Sequence, residues 1–228
     1  MQEAVTIDIV FSDEDLLVAY KPPGLPTVPL KSSSGDSLLS ILALEYPEVL
    51  QCHGKNEWEG GILHRLDTPT RGLVIAARNQ ETYDYLYNEQ RQGRIVKTYR
   101  AIVSEREHCL EGFPPFPFQS PEETSVVIES RFRPFGPKGS SVRPVAEGKR
   151  FQDGKIYQTK VVKEQDFALL CTITNGFRHQ IRTHLSWSGY PIVGDDRYGG
   201  KANDRLELEA IALSFTHPRT RRELEIRI

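Results

Sequence analysis

The sequence predicts a mixed, largely antiparallel α+β fold, on three observations. Seven short apolar runs, rich in β-branched and aromatic residues, are bounded by turn formers in the manner of strands. Only three stretches carry helical spacing. These helices do not alternate strictly with the strands, which argues against a doubly wound parallel sheet.

The expected strands, in order, are DLLVAY (15–20), GLVIAAR (72–78), KTYRAIVS (97–104), TSVVIESRF (124–132), IYQTKVV (156–162), FALLCTIT (167–174) and AIALSFT (210–216). The fifth and sixth are separated by KEQD, which suits a hairpin loop. The first expected helix lies in DSLLSILALEYPEVL, where Leu38, Leu39, Leu42 and Tyr46 share a face and Pro47 stops the pattern. The second starts on the N-cap Asn79 and ends at Gly93. The third is FRHQIRTHLSWSG, running from Phe177 to Gly189. Two segments read as loops, the Pro/Gly/Ser-rich 21–35 and the Pro/Phe-rich 112–123. No repeat or clear linker divides the chain, so a single domain over 1–228 is expected.

Composition narrows the function classes. The chain has 228 residues, 38% hydrophobic and 26% charged, which is globular rather than disordered. No apolar run approaches the roughly 18 to 20 residues of a membrane span, and MQEAVTIDIV lacks the form of a signal peptide. Cys52, Cys109 and Cys171 are scattered and odd in number, which suits a reducing compartment and gives none of them a role. A soluble cytoplasmic protein is expected. The net charge of −2 hides an asymmetry: residues 1–50 carry eight acids and two lysines, whereas residues 131–163 carry nine Lys or Arg against Glu147 and Asp153. Such a basic stretch is either a solvated strand pair or a face for an anionic partner.

No GxGxxG, no GxxxxGK[ST] and no GxSxG occurs, so neither a nucleotide-phosphate cradle nor a serine elbow is signalled. His179 and His184 are five apart, off the spacing of a zinc helix, and no cysteine cluster completes a metal site. A site without metal or cofactor is the default. Three clusters remain. The first is His64-Arg65-Leu66-Asp67 with Thr70 and Gly72, where Asp67 is either a turn cap acting through Thr70 or a catalytic carboxylate held against a sheet. The second is KTYRAIV, whose alternation puts Lys97, Tyr99 and Ala101 on one face. Tyr99 there is a packing residue or a stacking surface. The third is NGFRHQIRTHLSWSGYPIVGDDRYGG, where a helix would set Arg178 and Arg182 one turn apart and aim Ile181 elsewhere. Two such arginines form a solvated stripe, or they hold a phosphate or an acid.

In order and in company these clusters carry more than they do singly. FSDEDLLVAYKPPGLPTVP, HRLDTPTRGLVIAARN, KTYRAIV, FRHQIRTHLSWSGYPIVGDDRYGG and LEAIALSFTHPRT resemble the RluA-type RNA pseudouridine synthases from about residue 8 to residue 220. Two departures stand out: Arg71 replaces the serine of Thr-Ser-Gly after HRLD, and Gly176-Phe177-Arg178 replaces Gly-Arg-Thr before HQIR.

The resemblance implies the pseudouridine synthase catalytic fold, a sheet flanked by helices and loops around a central cleft, without an N-terminal S4-type domain. It implies isomerisation of uridine to pseudouridine in structured RNA, ribosomal or transfer RNA, with no cofactor and no metal. Asp67 would be the essential carboxylate, Arg182 its cationic partner, and Tyr99 the ring stacked on uracil. Arg65 would fill the gap left by the extruded base, with His64, Thr70, Arg71, Arg178 and Ile181 around the substrate. The basic stretch would meet phosphates, and a monomer suffices. The alternatives are a catalytically silent RNA-binding protein that keeps the fold, and a hydrolase using Asp67 with His64. A hydrolase of the glycosidase type wants a second carboxylate, for which no candidate stands out.

Overall fold

The computed structural model describes residues 6–30, 35–106, 110–117, 125–145 and 154–228. Cys109, part of the Pro/Phe-rich segment (118–123) and part of the basic stretch (146–153) lie outside the described residues. In chain order the elements are strands β1 (Asp8–Ser12) and β2 (Leu16–Lys21), helix α1 (Leu38–Glu45), strand β3 (Arg71–Ala77), helix α2 (Gln80–Arg91) and strand β4 (Val96–Ile102). Strands β5 (Ser125–Phe135), β6 (Ser141–Val145), β7 (Tyr157–Gln165) and β8 (Ala168–Ile173) follow. Helix α3 (Gln180–Trp187) and strands β9 (Leu208–Thr216) and β10 (Glu223–Arg227) complete an α+β chain. It divides into two compact units, Met1–Lys97 with Glu209–Ile228, and Thr98–Leu208.

The first unit is built on the most apolar strands. β2 pairs antiparallel with β1 and with β3, where Lys21 faces Gly72. β3 runs parallel to β9 at Arg71 and Gly72, and β10 returns antiparallel on β9, so the sheet is mixed. The parallel contact explains a glycine: Gly72 has φ 119, and a Cβ there would lie 2.3 Å from the Ala210 carbonyl oxygen. Leu16, Val18, Leu73, Ile75, Leu213 and Phe215 form the core, closed over by Leu86 of α2. Each such side chain stabilises the unit by about 1.5–3 kcal/mol. Asn79 caps α2 by accepting from the Thr82 N–H, and Ser37 caps α1 in a box closed by Ser40 rather than by an acid. The chain ends are clasped: His217 Nε2 donates to Asp13 Oδ2 at 2.7 Å, and Arg219 pairs with Asp15 at 2.6 Å. Asp13, Asp15 and His217 are close enough to hold a cation, but their ligand atoms are committed to one another and to Arg219.

In the second unit the strand order is β4, β8, β7, β5, β6. Along β4, Lys97, Tyr99 and Ala101 are buried and their neighbours are not, as the alternation predicts. β7 extends to Gln165, so the β7–β8 loop is shorter than KEQD suggests. β1, β6 and β10 were not anticipated; each is only five residues long, and β6 contains Pro144. Every residue of α3 from Gln180 to Trp187 is buried, which makes it a central rather than a surface helix. It also starts later than expected. His179, at φ 57 in the left-handed region, ends helical geometry toward the N-terminus, so Arg178 lies outside the helix and is not one turn from Arg182 on a shared face.

Candidate active site

Asp67 stands on a turn leading into β3, half-buried, and the turn closes where the Thr70 N–H donates to the Asp67 carbonyl at 2.9 Å. What fixes the turn is its backbone. Lys21, at the end of β2 and wholly buried, donates from Nζ to the carbonyls of Pro22 (2.8 Å), Leu25 (2.7 Å) and Thr68 (3.2 Å). Gly24 N–H reaches the same Thr68 carbonyl. The Thr27 hydroxyl donates to the Leu66 carbonyl at 2.9 Å and accepts from the Leu66 N–H at 3.1 Å, so Leu66 is held on both sides. Burial pushes the Lys21 ammonium down to about 8, while the negative charge of Asp67 pulls it back up. A cation is thus fixed within the electrostatic reach of the carboxylate.

The rest of the first cluster is accounted for residue by residue. His64 accepts from the Ile75 N–H through Nε2, leaving Nδ1 sealed without a partner. Burial, then the charge of Lys97, keeps this histidine neutral by lowering it to about 3. The Thr70 hydroxyl is likewise buried without a partner. Two orphaned polar groups on one turn are the kind of exception that marks a strained or ligand-facing site. Arg65 is exposed and pairs with the buried Glu59 at 2.8 Å. Arg71 reaches Glu209 at 3.3 Å, and the Tyr20 hydroxyl donates to the same carboxylate.

In the second unit Tyr99 is buried on β4. On α3, Ile181 is buried, and Arg182 donates from Nε and a terminal nitrogen to the two oxygens of Asp195, at 2.7 and 2.8 Å. Asp195 also accepts from the N–H groups of Arg197 and Tyr198, and the Tyr198 ring packs on the guanidinium at 5.2 Å. GDDRYGG is therefore the cradle of Arg182. Next along the helix, His184 binds Ser130 Oγ (2.9 Å) and Thr159 Oγ1 (2.8 Å), and burial holds it near 3. Arg178 donates to the carbonyls of Gly139 and Ser141. Sequence reasoning gave no role to Lys21, Thr27 or Asp195. The signal for Asp195 was present, an acid in the glycine-rich motif after α3, and Lys21 had only its place after an apolar strand.

The described helices include none long and apolar enough to cross a membrane. The family model described as RNA pseudouridylate synthase matches residues 15–187. The dual-specificity RNA pseudouridine synthase RluA of Vibrio parahaemolyticus is 33% identical over 228 residues, covering 93% of this chain and 79% of the relative. Ribosomal large subunit pseudouridine synthase D of the same species is 27% identical over 238 residues, covering 97% and 66%. The solved structure of human RNA pseudouridylate synthase domain containing 1 shares the fold, with a TM-score of 0.70 at 21% identity over 100% of this chain and 86% of that one. The HRLD turn, Tyr99 and Arg182 all fall within the matched span, and on this match the chain belongs to the RNA pseudouridylate synthase family, as a member of RluA type.

Proposed function

We propose that this synthase converts specific uridines of a structured ribosomal or transfer RNA to pseudouridine, with Asp67 as the catalytic carboxylate. One observation carries the assignment: the HRLD turn is immobilised through its main chain, with the Lys21 ammonium on the Thr68 carbonyl and the Thr27 hydroxyl on both polar atoms of Leu66, so that Asp67 is carried on a fixed backbone. A group held this way is presented without reorganisation, which is what positioned catalysis requires. In the isomerisation the bond from N1 to C1′ opens, the base turns, and C5 bonds to C1′. C5 loses a proton and N1 gains one, so no oxidant, metal or cofactor is called for.

Asp67 acts at C1′ or on the base, and both roles use its ionised form. Tyr99 stacks on the uracil and assists the proton transfer from C5, while Arg182 supplies positive charge to the same base. Extrusion of the uridine costs a few kcal/mol, and Arg65 fills the vacated stack after leaving Glu59. His64, Thr70, Arg71, Arg178 and Ile181 line the bound nucleotide. Strand cations such as Arg133 and Arg143, directly opposed across β5 and β6, meet phosphates. The enzyme acts as a cytoplasmic monomer.

The test supplies wild type and Asp67→Asn to total RNA from a host strain lacking the gene, followed by chemical mapping of pseudouridine. Wild type restores defined sites, and Asp67→Asn is slower by at least about 10²–10⁴-fold. Restoration of the same sites at the same rate by Asp67→Asn removes the carboxylate from the mechanism. No restoration by wild type leaves an RNA-binding protein.

A further inference from the structure

The second unit contains an aromatic group that the reaction does not use. Phe132 on β5 and Phe177 in the loop before α3 are stacked, with ring centroids 5.0 Å apart and planes 10° from parallel. Tyr157, opening β7, leans on both, at 5.9 Å from Phe132 and 5.0 Å from Phe177. Beneath them is a floor: the ring of His184, buried and bonded through both nitrogens, lies 5.0 Å from Phe132. The rings thus run from the interior outward as His184, Phe132 and Phe177. Phe132, Tyr157 and Phe177 each keep part of their surface in water.

The outer ring is fixed in place. Phe177 N–H donates to Gln180 Oε1 at 3.0 Å, and its carbonyl accepts from the Gln180 N–H at 3.1 Å. Gln180 in turn donates to the Gln158 carbonyl and to Thr159 Oγ1. A ring that served only to fill the core would sit on a strand or helix and be covered. Phe177 sits on a loop and is partly uncovered. It also lies in one of the two motifs where the sequence departs from the family pattern.

Cations rim the stack. Lys155 Nζ lies 5.6 Å from the Tyr157 centroid and donates to Asn175 Oδ1. Arg178, beside Phe177, donates to the Gly139 and Ser141 carbonyls, and Arg197 to the Ser140 carbonyl. All these acceptors are neutral, so the three charges are not cancelled by a carboxylate partner among the described residues. Parallel rings open to water, bordered by uncompensated positive charge, complement a planar base on an anionic backbone. Stacking on aromatic rings and backbone electrostatics are the two components of single-strand binding.

We propose that Phe132, Tyr157 and Phe177 form a docking platform for an unpaired base of the RNA, with Phe177 as its outer ring and Lys155 and Arg178 at the adjoining phosphates. The proposal rests on the reading of the protein as acting on RNA, and adds that its substrate presents an unstacked base besides the uridine that reacts.

The probe is an oligocytidine of about a dozen nucleotides, which contains no uridine to react, compared with an abasic strand of the same length. Wild type binds the oligocytidine about 10-fold more tightly than the abasic strand. Phe177→Leu loses that preference and keeps its affinity for the abasic strand. Phe177→Trp restores the preference, and oligocytidine quenches its added emission beyond any change in the native tryptophans Trp58 and Trp187. Equal affinity of wild type for the two strands overturns the proposal, as does an undiminished preference in Phe177→Leu. Should Phe177→Leu not fold, the Phe177→Trp emission decides alone, and absence of quenching overturns the platform. Pseudouridine mapping on the same preparations separates the two readings. A protein that modifies RNA but ignores the bases of the probe loses only the platform. One that discriminates the strands but modifies nothing loses only the catalytic assignment.

Discussion

The Asp67 turn and helix α3 are both rigid, but by opposite means. The turn is held through main-chain atoms: Lys21 on the Thr68 carbonyl, Thr27 on both polar atoms of Leu66, and Thr70 N–H on the Asp67 carbonyl. Helix α3 is held through side chains, with Gln180 and His184 bonded to β7 and Arg182 to Asp195 in the loop after the helix. The difference teaches how to separate chemistry from architecture. Where the backbone carries the scaffold, a side chain can change and the fold persists. Where the side chains carry it, function and stability fall together.

The strongest way to break this comparison is at Arg182 and Asp195, both almost wholly buried. Asp195→Ala leaves the guanidinium buried and unpaired, and destabilises the protein by about 3–5 kcal/mol. Replacing both partners by apolar residues of similar size, Arg182→Met with Asp195→Leu, recovers most of that stability and none of the activity. Denaturant unfolding of the two variants checks this. A loss under about 1 kcal/mol in Asp195→Ala would mean that the pair is not structural. By contrast, Asp67→Asn shifts stability by less than about 1 kcal/mol, because the main-chain bonds from Lys21, Thr27 and Thr70 that hold its turn stay in place.

A smaller effect sharpens the other side. Thr27→Val keeps the shape of the side chain and removes the oxygen that serves Leu66 N–H and carbonyl. Stability falls by about 1–3 kcal/mol as these groups lose their partner. Activity falls further than stability alone explains, since the turn is freed, and kcat rather than KM carries the loss. If kcat of the folded Thr27→Val protein equals that of wild type, positioning through Leu66 is not what presents Asp67.

The same contrast explains what could be read from the sequence. The long apolar strands, the Asn79 cap, the alternation along β4 and the order of the motifs are side-chain patterns, and they were legible. The scaffold of the Asp67 turn consists of carbonyls converging on Lys21, and carbonyls carry no residue identity. Lys21 therefore read only as the first residue of the Pro/Gly/Ser-rich loop 21–35. Arg178 was misplaced because His179 adopts a left-handed conformation that histidine does not announce. The partner of Arg182 lay thirteen residues downstream, beyond any helical or strand period, in a motif whose acid was visible and whose target was not. β6 escaped because Arg143 at its centre and Pro144 beside it blur a five-residue strand.

The smallest effect is a matter of protons. Each unit keeps one histidine neutral, His64 in the first and His184 in the second, both lowered to about 3 from the usual 6.5. Between those values the unfolded chain binds protons that the folded protein excludes, so stability is full above pH 6.5 and falls as pH drops toward 3. Each histidine contributes a slope of at most about 1.4 kcal/mol per pH unit. Asp13, Glu48 and Glu89 are lowered from ordinary carboxylate values and act with the same sign, but at more acid pH. The window from about 5.5, where carboxylates of the unfolded chain are already largely ionised, to 6.5 therefore isolates the imidazoles. His184→Gln lowers stability at pH 7, because Ser130 and Thr159 lose a fitted partner, yet it flattens the slope in that window by one proton's worth. His64→Gln flattens it equally at little cost at pH 7, since His64 holds only one backbone N–H. Unfolding midpoints at several pH values across the window decide the point. A His184→Gln protein with the wild-type slope would show that the α3 network tolerates a charged imidazole, and that this helix is less tightly sealed than the bonds around it indicate.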